Sequence, residues 1–333
     1  MRVLVTGGGG FLGRAIIRQL LKAGHEVSTI NRSQYPDLEA TGVQCFQGDI
    51  ADWKDVTQAV AGVDAVIHTA AKAGMWGPYD DYFKANVTGT QNIIRACQEF
   101  DVQRLVYTSS PSVVFGGDNQ EGVDETAPYP KHYLAHYPRT KAMAERLVLN
   151  AKSPKLSVVS LRPHLIWGPG DNHLAPRLIQ RQRQKRLRFI GKMSGKVDAV
   201  YVENAAYAHC LALERLEPDA PINGQSYFIT NHEPWPTEKL INTILFSAGV
   251  EPVTKRVPRQ LAIGAGLLLE YIYTFFKIKA EPPMTRFVAK QLSTSHWFDT
   301  KAAVEELGYE PPYSMNDGFA RLREHYKSQG IKA

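Results

Sequence analysis

Apolar positions at the start of the chain run without a break through Val3, Leu4 and Val5, stop at four glycines, Gly7–Gly10, and then recur every three or four residues through "FLGRAIIRQLLK". An uninterrupted β-branched run bounded by glycine predicts a strand buried on both faces; the spacing that follows predicts a helix with one apolar stripe, ended by Gly24. The alternation then repeats. Strands are predicted at Val3–Val5, Glu26–Ile30, Cys45–Gln47, Ala65–His68, Leu105–Thr108 and Val158–Leu161, each followed by a helix or a turn. That order predicts an α/β fold whose parallel sheet is covered on both faces.

After Pro163 the rhythm breaks into "RPHLIWGPGDNHLAP", a basic stretch from Arg177 to Arg188, and a helical pattern in "AVYVENAAYAHCLALERL". We therefore expect a nucleotide-binding domain over 1–163, with segments near 197–215 returning to it, and a smaller α+β lobe on the substrate side over 164–333. Leu261–Phe276, "LAIGAGLLLEYIYTFF", is strongly apolar but, with Glu270 inside it, shorter than the ~20 residues that span a bilayer. It is expected to form a buried or substrate-covering helix, with a helix lying in a membrane interface as the alternative.

At 333 residues, 44% hydrophobic and 22% charged, the chain can fill a large core and is not disordered by composition. A net charge of +6 suits an anionic ligand or surface, yet is too dispersed to suggest nucleic acid. Cys45, Cys97 and Cys210 stand far apart, which predicts neither a zinc site nor disulfides. A reduced, cytoplasmic setting fits, since a strand beginning at Arg2 leaves no room for a secretory leader. No metal is expected; His164, His173 and His209 are read as structural.

The glycines mark the first chemical site. Thr6, Gly7, Gly10 and Gly13 form T-G-x-x-G-x-x-G between strand and helix, with Phe11 and Leu12 opening the helix. Backbone N–H groups there can receive a diphosphate: Gly7 permits the turn, Gly10 lets the phosphates approach, and Gly13 lets helix pack on strand. This predicts a Rossmann-type, doubly wound sheet. At the end of the second strand, where NAD-binding folds usually carry an acid, the chain has Asn31 and Arg32. An arginine can fork onto a 2′-phosphate, so NADP(H) is favoured over NAD(H).

"YPRTK" places Tyr137 and Lys141 one turn apart on one helix face. An ammonium near a phenol stabilises the phenolate, so the pair can move a proton at neutral pH. Ser110 follows the fifth strand at the carboxyl edge of the sheet, where its hydroxyl can hold a substrate carbonyl oxygen. Thr108 and Ser109 are assigned to the backbone.

Together, "TGGGGFLG", "GDI" at Gly48–Ile50, "HTAA" at His68–Ala71, "NVTGT" at Asn86–Thr90, Ser110, Tyr137–Lys141 and "RPHLIWGPGD" resemble the extended short-chain dehydrogenase/reductases over nearly the whole chain. "YTSSPSVVF", "AAKAGMWGPYDDYFKANVTGT" and "FDTKAAVEELGYEPPYSM" are similar to the 3β-hydroxysteroid and sterol-4α-carboxylate dehydrogenase branch, and within it to bacterial reductases of 2-alkyl-3-oxoalkanoic acids. The resemblance implies that Asp49 and Ile50 contact adenine, Ala70 and Ala71 the phosphate-to-ribose stretch, Lys141 the nicotinamide ribose, and the backbone beyond Pro163 the nicotinamide. It implies that Asn86 organises the neighbouring helix. The implied reaction is reversible hydride transfer, with Tyr137 as proton donor, and a homodimer is expected. A 3β-hydroxysteroid or sterol-4α-carboxylate dehydrogenase, or an NADP(H)-binding sensor or scaffold without turnover, are the alternatives.

The loop "KAGMWGPYDDYF" brings Trp76 and Tyr79, with Met75 and Tyr82, to the same edge as Ser110, which favours a hydrophobic small-molecule substrate. The basic stretch is read as a solvated helix face that could also meet a substrate carboxylate, a partner enzyme or a membrane.

Overall fold

The computed structural model describes residues 1–191, 195–278 and 280–330. Its main sheet has seven parallel strands: β1 (Arg2–Thr6), β2 (Glu26–Asn31), β3 (Gln44–Gln47), β4 (Ala65–His68), β5 (Arg104–Thr108), β6 (Ser157–Pro163) and β7 (Ser226–Ile229), in the spatial order β7-β6-β5-β4-β1-β2-β3. The order reverses beside β1, so the carboxyl ends of β1 and β4 diverge and open a crevice there. The longer helices are α1 (Phe11–Lys22), α2 (Trp53–Val60), α3 (Gly89–Glu99), α4 (His136–Asn150), α5 (Leu174–Arg183), α6 (Val202–Arg215), α7 (Thr237–Ser247), α8 (Arg259–Phe275) and α9 (Met315–Ser328).

The strand sequences have no polar face because both faces are covered. Val3 and Val5 pack into one core with Ile67, Val106 and Val159, beneath α1 and α6. Leu4 points the other way, with Val66, Leu105 and Val158, against Val56 of α2, Ile93 of α3 and Val148 of α4. This is the period-two alternation of a strand, read out against two helical layers. Each such aliphatic side chain contributes about 1.5–3 kcal/mol by leaving water. α6, whose Ala205, Ala208 and Ala212 are buried, packs on α1, and Glu203 at its start bonds Arg18 (2.6 Å) and Gln19 (3.1 Å).

All six strands read from the sequence are present, with β6 running to Pro163. β7 is an addition to them. It pairs with β6 in register from Ser226–Ser160 to Ile229–Pro163, so the returning part of the chain extends beyond 197–215. A second, small sheet is ordered Trp235–Pro236, Lys196–Val197, His296–Phe298 and Gln120–Val123, so a segment from within residues 1–163 pairs there with segments of the later half. The basic stretch is helical only through Arg183, and the left-handed residue Lys185 (φ 56°) turns the chain away.

The expectation for Leu261–Phe276 needs correction. The segment is a helix, α8, but only Ala262 and Gly266 are buried in it, while Leu268, Tyr271 and Phe275 face outward. Among the described residues no helix is long and apolar enough to cross a membrane.

Candidate active site

At the end of β1 the chain turns through Gly7 at φ +70°, a conformation a β-carbon would strain. The loop is held from β2: Gly7 N–H donates to the Ile30 carbonyl (3.0 Å), Gly8 N–H to Thr29 Oγ1 (3.0 Å) and Gly9 N–H to Asn31 Oδ1 (2.9 Å). A β-carbon on Gly13 would stand 2.4 Å from the Gly7 carbonyl oxygen, which only glycine avoids. One on Gly10 would meet nothing within 4 Å except that same oxygen, so the space before Gly10 is open. No side chain caps α1 and no acid sits in its first turn. Its leading N–H groups, at Phe11, Leu12 and Gly13, have no partners within the helix, and the loop fits a diphosphate. Ala70, after β4, closes the far side: a β-carbon on Gly7 would lie 3.0 Å from its Cα. Ala71, next along, is exposed.

At the end of β2, Asn31 is turned inward. Besides accepting from Gly9, its amide donates to Thr29 Oγ1 (3.0 Å), so it supports the loop from behind. Arg32 is exposed. Asp49, after β3, accepts from the Ala51 N–H (3.0 Å) and pairs with Lys84 (3.2 Å). Burial raises its carboxyl, but these contacts and the nearby Arg32 bring it below the ordinary value. Ile50 is buried under Gly89, and Pro163 ends β6 opposite Ile229.

The three groups expected to react meet beyond β5. The Ser110 hydroxyl caps the turn Pro111–Val114 by accepting from Ser112 N–H (3.2 Å) and lies 2.9 Å from Ser112 Oγ. It also acts on the Tyr137 phenol, which α4 presents from its first turn. Burial pushes that phenol up and Ser110 draws it down. Lys141, one turn on, is buried beneath the Tyr107 ring, 4.2 Å from its centroid, and donates to the Thr108 carbonyl at 2.5 Å. Burial lowers its ammonium to about 7, with Glu145 acting to raise it. The sequence had Lys141 alone lowering the tyrosine. In the structure its head is engaged by β5, and Ser110 is the group that draws the phenol down.

Several supporting residues escaped the sequence reading. Glu145, a further turn along the Tyr137–Lys141 face, is fully buried and accepts from Tyr129 (2.7 Å), Ser160 (2.9 Å) and Arg162 Nη2 (2.8 Å). Burial would raise its carboxyl, yet the Arg162 guanidinium holds it below the usual range. The signal was available as a carboxylate eight positions beyond Tyr137. Asn86 sits in a π-helical stretch, Phe83–Thr88, and clamps the Lys72 backbone (2.7 and 3.1 Å) while donating to Thr140 Oγ1 (3.0 Å) between Tyr137 and Lys141. It organises α4, as the resemblance implied. His68, buried and lowered to about 3 mainly by desolvation, links Thr6 (2.7 Å) to Thr90 (3.0 Å) beneath the site.

Tyr79 lies against α4 and Trp76 against α8. Tyr79 packs on His136 of α4 (5.4 Å between centroids) and reaches Met143 Sδ (3.8 Å), close to the Tyr137 turn. Trp76 stands edge-on to Tyr273 of α8 (6.1 Å) and donates to the Ile278 carbonyl (3.5 Å). Of the other histidines, His164 bonds the Asp198 carbonyl (2.9 Å) and His209 bonds Thr108 Oγ1 (2.8 Å) and the Ala205 carbonyl (2.7 Å), whereas His173 stands before α5 with no side-chain capping bond, the first N–H groups there donating to Asp171. Among the described residues no three His, Cys, Asp or Glu side chains gather into a metal site.

The chain is similar to known proteins over nearly its whole length. The profile of the 3-beta hydroxysteroid dehydrogenase/isomerase family matches residues 4–259. The chain is 48% identical over 326 residues to a 2-alkyl-3-oxoalkanoate reductase of Stenotrophomonas maltophilia (strain K279a), covering 97% of this chain and 98% of that one. It is 33% identical to the mouse sterol-4-alpha-carboxylate 3-dehydrogenase, decarboxylating, over 97% and 90% of the two chains. In fold it is similar to the Thermus thermophilus UDP-glucose 4-epimerase solved with NAD, with a TM-score of 0.75, 24% identity and coverage of 98% and 99%.

Proposed function

The chain belongs to the 3-beta hydroxysteroid dehydrogenase/isomerase family, and from that premise we propose that it reduces the 3-oxo group of long-chain 2-alkyl-3-oxoalkanoic acids to the 3-hydroxy acid, with NADPH as reductant. The observation that carries this reading is the placement of Tyr137 and Lys141 one turn apart on α4, with Lys141 bonded to the Thr108 carbonyl (2.5 Å) at the carboxyl edge of β5, where Ser110 follows. The similarity to the Stenotrophomonas reductase supports the acid substrate, and Trp76, against α8, and Tyr79, against α4, supply apolar surface.

A bound nicotinamide supplies the hydride; the loop from Gly7 to Gly13 and the first turn of α1 fit its diphosphate. Arg32 supports the preference for a 2′-phosphate, because it stands exposed at the end of β2, at the place where NAD-binding folds usually carry an acid. Ser110 and Tyr137 both offer hydroxyl protons toward one carbonyl oxygen, which orients the ketone and stabilises charge as it develops. Tyr137 then passes its phenolic proton to that oxygen, completing the alcohol. Lys141, with its ammonium lowered to about 7, offsets the phenolate left behind. Asn86 keeps the turn bearing these groups in place through Thr140.

The test is NADPH consumption at about 340 nm with a synthetic 2-alkyl-3-oxo acid and, separately, a 3-ketosteroid. Turnover of the acid, with NADPH preferred to NADH, is the expected result. Turnover of the steroid alone would transfer the assignment to a steroid dehydrogenase. Tyr137→Phe should lower kcat/KM roughly 10²–10⁴-fold with nucleotide affinity intact; undiminished turnover would refute the role given to the phenol.

A further inference from the structure

Two strips of chain deliver the reacting hydroxyls: the one that runs on from Ser110 and the one that leads into Tyr137. The first passes through the turn Pro111–Val114 to Phe115 and then to Gly117; the second includes Tyr133 and Leu134, and the Tyr133 hydroxyl ties the strips together by donating to the Val113 carbonyl (3.0 Å). A short helix from the later half of the chain, Arg286–Gln291, lies on the first strip. Its Phe287 stands edge-on to Phe115 (5.8 Å between centroids), and Lys290, one turn on, carries its head to Gly117. A β-carbon on Gly117 would lie 2.8 Å from Lys290 Nζ and 3.2 Å from Leu134 Cδ1, and at φ +107° the position favours glycine in any case. The ammonium therefore sits where the Ser110 strip and the Tyr137 strip adjoin.

The other cations around the site are occupied. Lys141 donates to the Thr108 carbonyl (2.5 Å), Arg162 pairs with Glu145 (2.8 Å), Lys72 with Asp81 (2.6 Å), Lys84 with Asp49 (3.2 Å) and Arg286 with Glu270 (2.6 Å). Lys290 is half-buried, yet among the described residues its amine has no hydrogen bond and no ion pair, the nearby Asp118 included. A charge drawn part of the way out of water without an acceptor is costly, so one kept in that state is positioned for an anion. We propose that Lys290 receives the carboxylate of the substrate and thereby selects 3-oxo acids over neutral ketones, an assignment that rests on the acid substrate proposed for the site. In such an acid the carboxylate and the ketone flank a single carbon, so a grip on the first sets where the second meets Ser110 and Tyr137. The long, flexible lysine stem lets the ammonium follow the carboxylate as the ketone seats.

The experiment is calorimetric titration of the full chain, with NADP⁺ in excess, using a long-chain 2-alkyl-3-hydroxy acid and its methyl ester. The acid should bind at least about tenfold more tightly than the ester, the amount a charge-assisted hydrogen bond supplies. Lys290→Met, checked for an unchanged melting temperature, should weaken the acid at least about tenfold and leave the ester as it was, which erases the preference. Lys290→Arg keeps the charge and should retain it. The proposal is overturned if the unmodified protein binds acid and ester alike, if Lys290→Met still prefers the acid, or if that variant loses both ligands equally. Binding needs no turnover, so these affinities without NADPH oxidation would strike the proposed reaction and leave the carboxylate site standing.

Discussion

Glu145→Gln removes one buried charge from beneath the reacting pair and should change stability and pH dependence by separable amounts. Glu145 is 0% and Arg162 3% exposed, and Arg162 Nη1 already lacks a partner, so losing the carboxylate leaves a guanidinium stranded in the interior. Breaking such a pair costs about 3–5 kcal/mol. The second effect falls on Lys141, whose ammonium Glu145 helps to sustain at about 7. Side chains one turn apart lie about 6 Å from each other, and at an effective dielectric near 20 their attraction is about 3 kcal/mol, roughly a hundredfold in the lysine's proton affinity. The variant's ammonium should therefore lose its proton at lower pH, and the alkaline limb of kcat/KM should move to lower pH by at least one unit, about tenfold in proton concentration. Urea denaturation and NADPH oxidation across pH 6–9, a range about the lysine's titration, measure the two effects. Glu145→Leu/Arg162→Met, which removes both charges, should recover stability but leave the limb displaced. A limb that stays in place in both variants would refute the electrostatic role, and an unchanged denaturation midpoint in Glu145→Gln would refute the stability argument.

Gly13→Ala places a β-carbon 2.4 Å from the Gly7 carbonyl oxygen, so nucleotide affinity should fall at least about tenfold and the melting temperature should drop; calorimetric titration with NADPH shows it, and wild-type affinity would contradict the packing role. Arg32→Asp should raise the KM for NADPH relative to NADH at least about tenfold, and an unaltered ratio would remove Arg32 from cofactor selection. Acid should destabilise the fold through neutral buried histidines. Burial, the leading cause in each, lowers His68 and His164 to about 3 and His209 and His296 to about 4, from the ordinary 6.5. Their folded values lie below the unfolded one, so the unfolded chain takes up protons first as pH falls. Their contribution is complete above pH 6.5 and is lost from there down to about 3 for His68 and His164 and to about 4 for His209 and His296, at up to about 1.4 kcal/mol per pH unit for each. Equal denaturation midpoints at pH 7.5 and 5, values bracketing roughly the free histidine range, would refute it.

The first six strands were legible because burial on both faces leaves runs such as Val3–Val5 without polar interruption, and the glycine loop because its geometry admits no side chains. Ser226–Ile229 was missed for the opposite reason: it is short, it lies at the sheet edge, and the strand-helix alternation has already stopped when the chain reaches it. Ser110, Tyr137 and Lys141 could be named because their spacing is local. Glu145 and Arg162 lie on different elements and meet only when α4 packs on β6, so no short window contains the pair. For α8, periodicity showed which residues share a face but not which way that face is mounted; the mounting depends on Gly266 and Glu270 meeting a segment later in the chain.

The position of β7 has a consequence for how the protein is made. Every residue of β6 is buried in the finished sheet, and its outer neighbour is the much later Ser226–Ile229. When the ribosome has delivered the first 163 residues, the nascent sheet therefore ends in an open, apolar margin with its hydrogen-bonding groups unpaired. Chaperones that shield unfinished sheets have their opportunity in that interval, and a chain terminated before β7 is translated carries an adhesive border into the cell.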